Sequence, residues 1–492
     1  MNNPQIHLGR TRRVHFVGIG GIGMSGIAEL LANLGYSVRG SDAKRSEITD
    51  RLASLGVRID VGHDAAHVGD ADVVVVSSAI RSDNPEVVEA RTRHVPVIQR
   101  AEMLAELMRL RFGIAIAGAH GKTTTTSMVA LMLEHAGLDP TAVIGGRLSA
   151  FGSNARLGSG QYMVAEADES DRSFLRLTPS IAIITNIDRE HLDAYGTFEH
   201  LVEAFTDFSN RVPFYGAVVA CIDDAPVVAM LPSVTRRVIT YGTVETADVR
   251  GEGLETDGRS SRCRVRYRVR GVPGGDGEGH LELGVPGRHN LLNALGAVAV
   301  GLEVGVPFDR IAAALKTFKG AERRYQTRGQ AGGVTVVDDY GHHPTEIAAV
   351  LKTARSGNPS RLVAVFQPHR FSRTRDLLND FGPALGLADV VVLTGIYPAG
   401  ELPIPGITID VLADSVRASA ADVRVVPSLE DLPGAVARMA EPGDLIVTLG
   451  AGSIGTIGDR ILSAIPESTS GVDSRESGND SRGRFSRERK AR

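Results

Sequence analysis

FGIAIAGAHGKTTTTSMVALMLEHAG (Phe112–Gly137) is a short apolar run, a glycine-bounded turn and an apolar helical stretch in direct succession. The run FGIAIA reads as a buried parallel strand, and the segment after the turn as a helix. Gly118 and Gly121 leave backbone N–H groups free to face phosphate. Lys122 adds a positive charge there, and Thr123 offers a hydroxyl to a divalent cation. The usual phosphate loop has four residues between its glycines and this one has two. The loop Gly118, Ala119, His120, Gly121, Lys122, Thr123 and Thr124 is therefore the expected ATP site. Lysine is scarce elsewhere in the chain, so its place here is not compositional drift.

Working outward, the expected Mg2+ ligands stand at two later strand ends. YMVAE runs into EADESD (Glu166–Asp171), and IAIITN runs into IDREHLD (Ile187–Asp193). Hard cations take carboxylate and hydroxyl oxygens and occasionally a histidine, which selects Glu166 and His191 beside Thr123. On the N-terminal side, RVHFVG leads into Gly18-x-Gly20-x-x-Gly23, a helix, and a second strand ending at Asp42. That order of strand, turn, helix and acid reads as a site for a nucleotide diphosphate, without choosing which nucleotide. Gly450-x-Gly452-x-x-Gly455 repeats the pattern with no following strand to present an acid, so it reads as packing.

Short Val/Ile-rich strands alternate with amphipathic helices over most of the 492 residues, which implies parallel sheets flanked by helices. The expected fold is α/β in three domains. These are a Rossmann-like N-terminal domain (1–111), a central P-loop ATPase-type domain with a small antiparallel insertion (112–325), and a Rossmann-like C-terminal domain (326–465). The insertion is placed around Val234–Leu283. The remainder, 466–492, turns to Ser, Gly, Arg, Asp and Glu, and reads as a disordered tail.

Composition excludes several classes. Net charge is −4, so no bulk electrostatic case exists for nucleic acid or anionic lipid. Two cysteines make no disulfide framework. No apolar h-region opens the chain, and no run of about 18 apolar residues occurs. A soluble cytoplasmic protein without membrane or nucleic-acid partners is expected, as a monomer or weak homodimer.

Gly18–Gly23, GAHGKTTTT, EADESD, NIDREHLD, PGRHNLLNA, RRY and DDYGHHPTE follow one another in an order that resembles the Mur ligases, from about Arg12 to Ile465. EADESD, DDYGHHPTE and FQPHRFSRTRD (Phe366–Asp376) are most similar to the alanine-adding members. The resemblance implies an ATP-dependent, Mg2+-requiring ligase that joins L-alanine to UDP-N-acetylmuramate through an acyl phosphate. It places Gly20, Gly21 and Gly23 at the diphosphate of the sugar nucleotide, with Asp42, Ser77 and Ser78 around its uridine and ribose. Lys122 and Thr123 would hold ATP phosphate and Mg2+, with Glu166 and His191 as metal ligands. Asn290 and Asn293 match adenine-side and closure positions, and Arg324 and Asp339 match phosphate and ribose contacts. His342, His343, His369, Arg370 and Arg373 would line the lactoyl and alanine site. His343, with His342 as alternate, would take the amine proton, so Lys122, Arg324 and His343 are the expected catalytic set.

Several Mur ligases carry a carbamoylated lysine shortly after the metal-binding histidine. Leu192–Asn210 contains no lysine, so the chain departs from that pattern. A second metal would rely on phosphate oxygens, water and carboxylates such as Glu166, with Glu190, Asp193 or Glu203 as lesser candidates. Rival readings are a nicotinamide-dependent oxidoreductase, a non-enzymatic nucleotide switch, and a relative that adds another amino acid. The first leaves the P-loop, EADESD and the third domain unexplained, and the second would need no sugar-nucleotide site.

Overall fold

The computed structural model describes residues 8–77, 79–148, 153–420 and 422–466. The expected tail and Ser78 fall outside them, Pro466 aside. Three sheets follow one another along the chain.

The first sheet is wholly parallel. Its strands are β1 (Arg13–Val17), β2 (Ser37–Asp42), β3 (Arg58–Val61), β4 (Val73–Val76) and β5 (Val97–Gln99), in the order β3-β2-β1-β4-β5. The order reverses between β1 and β4. In open α/β sheets the crevice beyond the strand ends at such a reversal receives the ligand. The Gly18–Gly23 turn follows β1, and Ser77 follows β4.

The second sheet has ten strands. They are β6 (Phe112–Ala117), β7 (Thr141–Leu148), β8 (Ser153–Arg156), β9 (Tyr162–Glu166), β10 (Ile181–Ile184), β11 (Ala217–Cys221), β12 (Val238–Gly242), β13 (Val249–Thr256), β14 (Ser261–Arg268) and β15 (Asp276–Leu283). The order is β15-β14-β13-β12-β11-β10-β6-β9-β7-β8. Parallel β6, with β9 and β10 beside it, is buried on both faces, which explains its continuous apolar run. By contrast β14 alternates buried and exposed residues, as an antiparallel strand with one wet face does. The antiparallel insertion is smaller than the sequence suggested. β12 pairs parallel with β11 and belongs to the main sheet, and antiparallel pairing begins between β13 and β14. Partial cover gives β12 a broken alternation, so its period misleads.

The third sheet comprises β16 (Gln326–Ala331), β17 (Val334–Asp339), β18 (Arg361–Phe366), β19 (Val390–Leu393), β20 (Asp422–Val425) and β21 (Asp444–Leu449). Their order is β16-β17-β21-β18-β19-β20, with only β16 antiparallel.

Burial divides the molecule differently from the sheets. Phe16 and Leu104 of the first unit lie in one continuous apolar cluster with Ala115, Ala117 and Phe205 of the second. The third unit has two clusters of its own, one on each face of its sheet. Loops that follow strand C-termini in all three units meet at a single cleft.

Candidate active site

The phosphate loop is built by β6, by the helix Lys122–His135, and by the end of β10. Gly121 caps that helix with φ +81, and a Cβ there would stand 2.5 Å from Asn293 Oδ1. Only glycine meets both conditions. The loop is stapled to the chain after β10. The His120 N–H donates to Asn186 Oδ1 at 2.8 Å, and the Thr185 hydroxyl donates to the His120 carbonyl at 2.6 Å.

A cleft of about 780 Å³ opens above it. Gly21, Gly23 and Ser77 line it from the first unit. Ala119, Gly121, Lys122, Thr123, Glu166 and His191 line it from the second. Arg324, His342, His369, Arg370 and Arg373 line it from the third. The remaining expected residues stand behind this wall. Gly20 donates its N–H to Asp42 Oδ2 at 2.8 Å, so turn and acid hold each other. Thr124 is buried against the core. Asn290 donates to the Pro286 carbonyl at 2.6 Å. Asp339 accepts from the Gly341 and Tyr325 N–H groups at 2.6 and 2.7 Å. Burial pushes its carboxyl up to about 6 against the pull of Arg324.

His343 is the largest departure. It is 3% exposed and caps the helix Pro344–Ser356, where its Nδ1 accepts weakly from the Thr345 N–H at 3.4 Å. It does not line the cleft, whereas His342 does. His342 Nδ1 lies 3.1 Å from the Tyr340 carbonyl, which assigns that nitrogen as the N–H donor and leaves Nε2 with a lone pair. Burial lowers the ring to about 4, so it is neutral at pH 7. The structure therefore moves the candidate base from His343 to His342. Arg373 Nη1 donates to His369 Nδ1 at 3.2 Å and its Nη2 lies 3.7 Å from Glu190 Oε1, which fixes its fork in the cleft. The His369 ring stacks on Tyr397 at 5.6 Å.

Several site residues were not singled out in the sequence. Lys122 Nζ donates to Glu169 Oε1 at 2.7 Å. Burial works against its ammonium, yet Glu169 more than offsets this and raises its pKa. Burial pushes Glu169 itself up to about 7. Glu346 also lines the cleft, and Asp188 stands behind its wall against His120; Glu190, a lesser metal candidate in the sequence, lines the cleft too. The signal existed, since EADESD and NIDREHLD hold six further acids beside Glu166 and His191, counting to Asp193. Spacing alone does not say which of them turns inward. Arg323, Tyr325, His191 and Arg370 all have positive φ, between 52 and 73 degrees. Such backbone in bulky residues gathers at functional sites.

The donors fit a hard divalent cation. Thr123 and Glu166 share one wall with His191, and Glu169 Oε2 is buried with no hydrogen-bond partner among the described residues. A carboxylate oxygen in that state is stabilised by a cation. Among the described residues Lys122 is the only lysine on the cleft wall, and Lys316 is paired with Glu282 at 2.8 Å. We expect turnover to be the same in CO2-depleted buffer as with added bicarbonate, and chemical trapping to find no carbamate on any lysine. Bicarbonate dependence with a trapped adduct would show that a carbamate is recruited from elsewhere.

Comparisons with known proteins agree across all three units. Residues 13–112 match the model described as Mur ligase family, catalytic domain. Residues 116–301 match the Mur ligase middle domain, and 323–452 the Mur ligase, glutamate ligase domain. The UDP-N-acetylmuramate–L-alanine ligase of Anaeromyxobacter sp. (strain Fw109-5) is 57% identical over 454 residues, covering 92% of this chain and 98% of that protein. The ligase of the same description from Geobacter sulfurreducens is 53% identical over 462 residues, covering 93% and 99%. Among solved structures, the UDP-N-acetylmuramate-alanine ligase of Thermotoga maritima superposes with a TM-score of 0.77 at 31% identity, covering 92% of this chain and 98% of that one.

Proposed function

The chain belongs to the Mur ligase family, and from that premise we propose that it joins L-alanine to the lactoyl carboxylate of UDP-N-acetylmuramate, converting ATP to ADP and phosphate. This is a step of cytoplasmic peptidoglycan precursor synthesis. No described helix is long and apolar enough to cross a membrane. The observation that carries the reading is the single cleft, with a glycine turn from the first unit, a phosphate loop from the second, and His342, Arg370 and Arg373 from the third.

The chemistry follows from the parts. A carboxylate is a poor acyl donor, because its leaving group would be oxide. Its oxygen instead attacks the γ-phosphorus of ATP, the bond to ADP breaks, and an acyl phosphate forms. The alanine nitrogen then attacks the acyl carbon and phosphate departs. Lys122 and Arg324 offset the charge carried by the transferred phosphoryl group. Thr123, Glu166 and His191 would hold Mg2+, which would supply further charge neutralisation there. His342 Nε2, which keeps its lone pair at pH 7, accepts from the alanine nitrogen and takes the proton that becomes acidic as the C–N bond forms. The planar forks of Arg370 and Arg373 suit carboxylate, which assigns them to the amino acid and the lactoyl group.

Product analysis tests this. UDP-N-acetylmuramate, ATP and a mixture of amino acids should yield ADP, phosphate and the sugar nucleotide extended by one alanine residue, read by mass spectrometry. ATP hydrolysis that needs neither acceptor, or extension by another amino acid, would overturn the assignment. Glycine and serine are the closest competitors, because one methyl group in a pocket is worth only about 1–3 kcal/mol.

A further inference from the structure

His120 belongs to the phosphate loop, yet its side chain turns towards the third unit. Its Nε2 stands 2.9 Å from Asp188 Oδ2, on the loop after β10. Its Nδ1 stands 3.3 Å from Glu346 Oε1, on the helix Pro344–Ser356 of the third unit, close but poorly aligned for a hydrogen bond. A neutral imidazole has one N–H, so one of its lone pairs would face a carboxylate. Only the doubly protonated ring presents a donor to both.

The two carboxylates have further partners. Asp188 Oδ2 also accepts from the Thr345 hydroxyl at 2.7 Å and faces His343 Nδ1 at 3.4 Å. Glu346 accepts from the His342 N–H at 3.1 Å and lies 3.5 Å from Arg324. Asp188, His120 and His343 donors all lie within 4.8 Å of one another, but a ring carrying both protons has no lone pair to offer a metal ion. The network matters because the first two units share a core and the third has its own. Its seating over the phosphate loop therefore draws on the polar contacts at the cleft, beside the close approach of Gly258 to Gly357 and of Gly287 to Thr353.

We propose that Asp188 and Glu346 are positioning residues that clamp the His120 imidazolium between the second and third units, and so seat Arg324 and His342 over the bound nucleotide. If the third unit swings away, Glu346, Thr345 and His343 leave together. His120 then keeps Asp188 alone. The kinetic consequence rests on the ligase reading above, whereas the seating of the third unit does not.

The test uses the full chain with Asp188→Asn, Glu346→Gln, the double variant and Thr345→Val. Each of the first two should lose about 10- to 100-fold in kcat/KM for ATP, the cost of a charge-assisted contact. The double variant should be no worse than the weaker single one, because a half-released ring has already lost its clamp. Calorimetric affinity for UDP-N-acetylmuramate should be unchanged. By small-angle scattering with UDP-N-acetylmuramate and a non-hydrolysable ATP analogue, both singles should stay larger than wild type. Thr345→Val removes one contact at the helix surface and should show the same changes in smaller measure, should Asp188→Asn fail to fold. Losses that multiply in the double variant, or wild-type compaction in both singles, would overturn the clamp. A wild-type protein without ligase activity would refute the function instead, and scattering would still decide the clamp.

Discussion

Lys122→Ala should leave a folded protein whose ligase turnover has fallen by about 10²- to 10³-fold or more, the scale of losing a preorganised charge at a phosphoryl group. The Lys122 side chain lies on the cleft wall rather than in an apolar core. Its Nζ reaches the Gly118 and Ala119 carbonyls at 2.5 and 3.2 Å and Glu169 at 2.7 Å, all at the lip of the loop. Removing it does leave Glu169 buried without its counter-ion. That carboxyl is already raised to about 7, so protonation spares the fold most of the cost. Far-ultraviolet circular dichroism should be unchanged. Since Glu169 would then hold its proton more firmly, the stability lost on replacing Lys122 should grow as pH rises from about 7 to 9. Turnover near normal would remove the phosphate-loop assignment.

Chelation of divalent metal should abolish turnover, and Mg2+ should restore it. His191→Ala should raise the Mg2+ concentration needed for half-maximal rate and lower kcat by about 10²-fold, at the upper end of what supporting groups of metal sites contribute. His191 sits at φ 56, with Nε2 3.9 Å from Glu169 and 3.8 Å from Glu190. Burial lowers its pKa, which keeps the ring neutral and able to ligate. An unchanged Mg2+ dependence in this variant would exclude the ring from the metal site.

The glycine turns and strand ends were legible because their chemistry is local. A strand, a turn and a helix start are adjacent in the chain, so Gly118–Thr123 and Gly18–Gly23 could be placed by inspection. Edge strands were harder. β3, β5, β16 and β20 are short or half-exposed, and none carries the apolar run that marks β6 or β21. The side-chain partners were illegible for another reason. Asp188 and Glu346 are 158 positions apart by number, yet both face His120, and only the fold brings them there. His342 and His343 are adjacent in sequence, and one peptide unit turns the first towards the cleft and the second into the helix cap. Composition carries no information about that choice.

The apolar cluster common to the first two units bears on how the molecule comes apart. Three sheets suggest three steps, but Phe16 and Leu104 of the first unit share one buried cluster with Ala115 and Phe205 of the second. Segments that bury one another's surface melt as a single cooperative unit. Scanning calorimetry should therefore resolve two transitions, one for residues up to about the end of the second unit and one for the third. Ligands that bridge the cleft should draw the two peaks together, because each then stabilises a state in which neither unit can open alone.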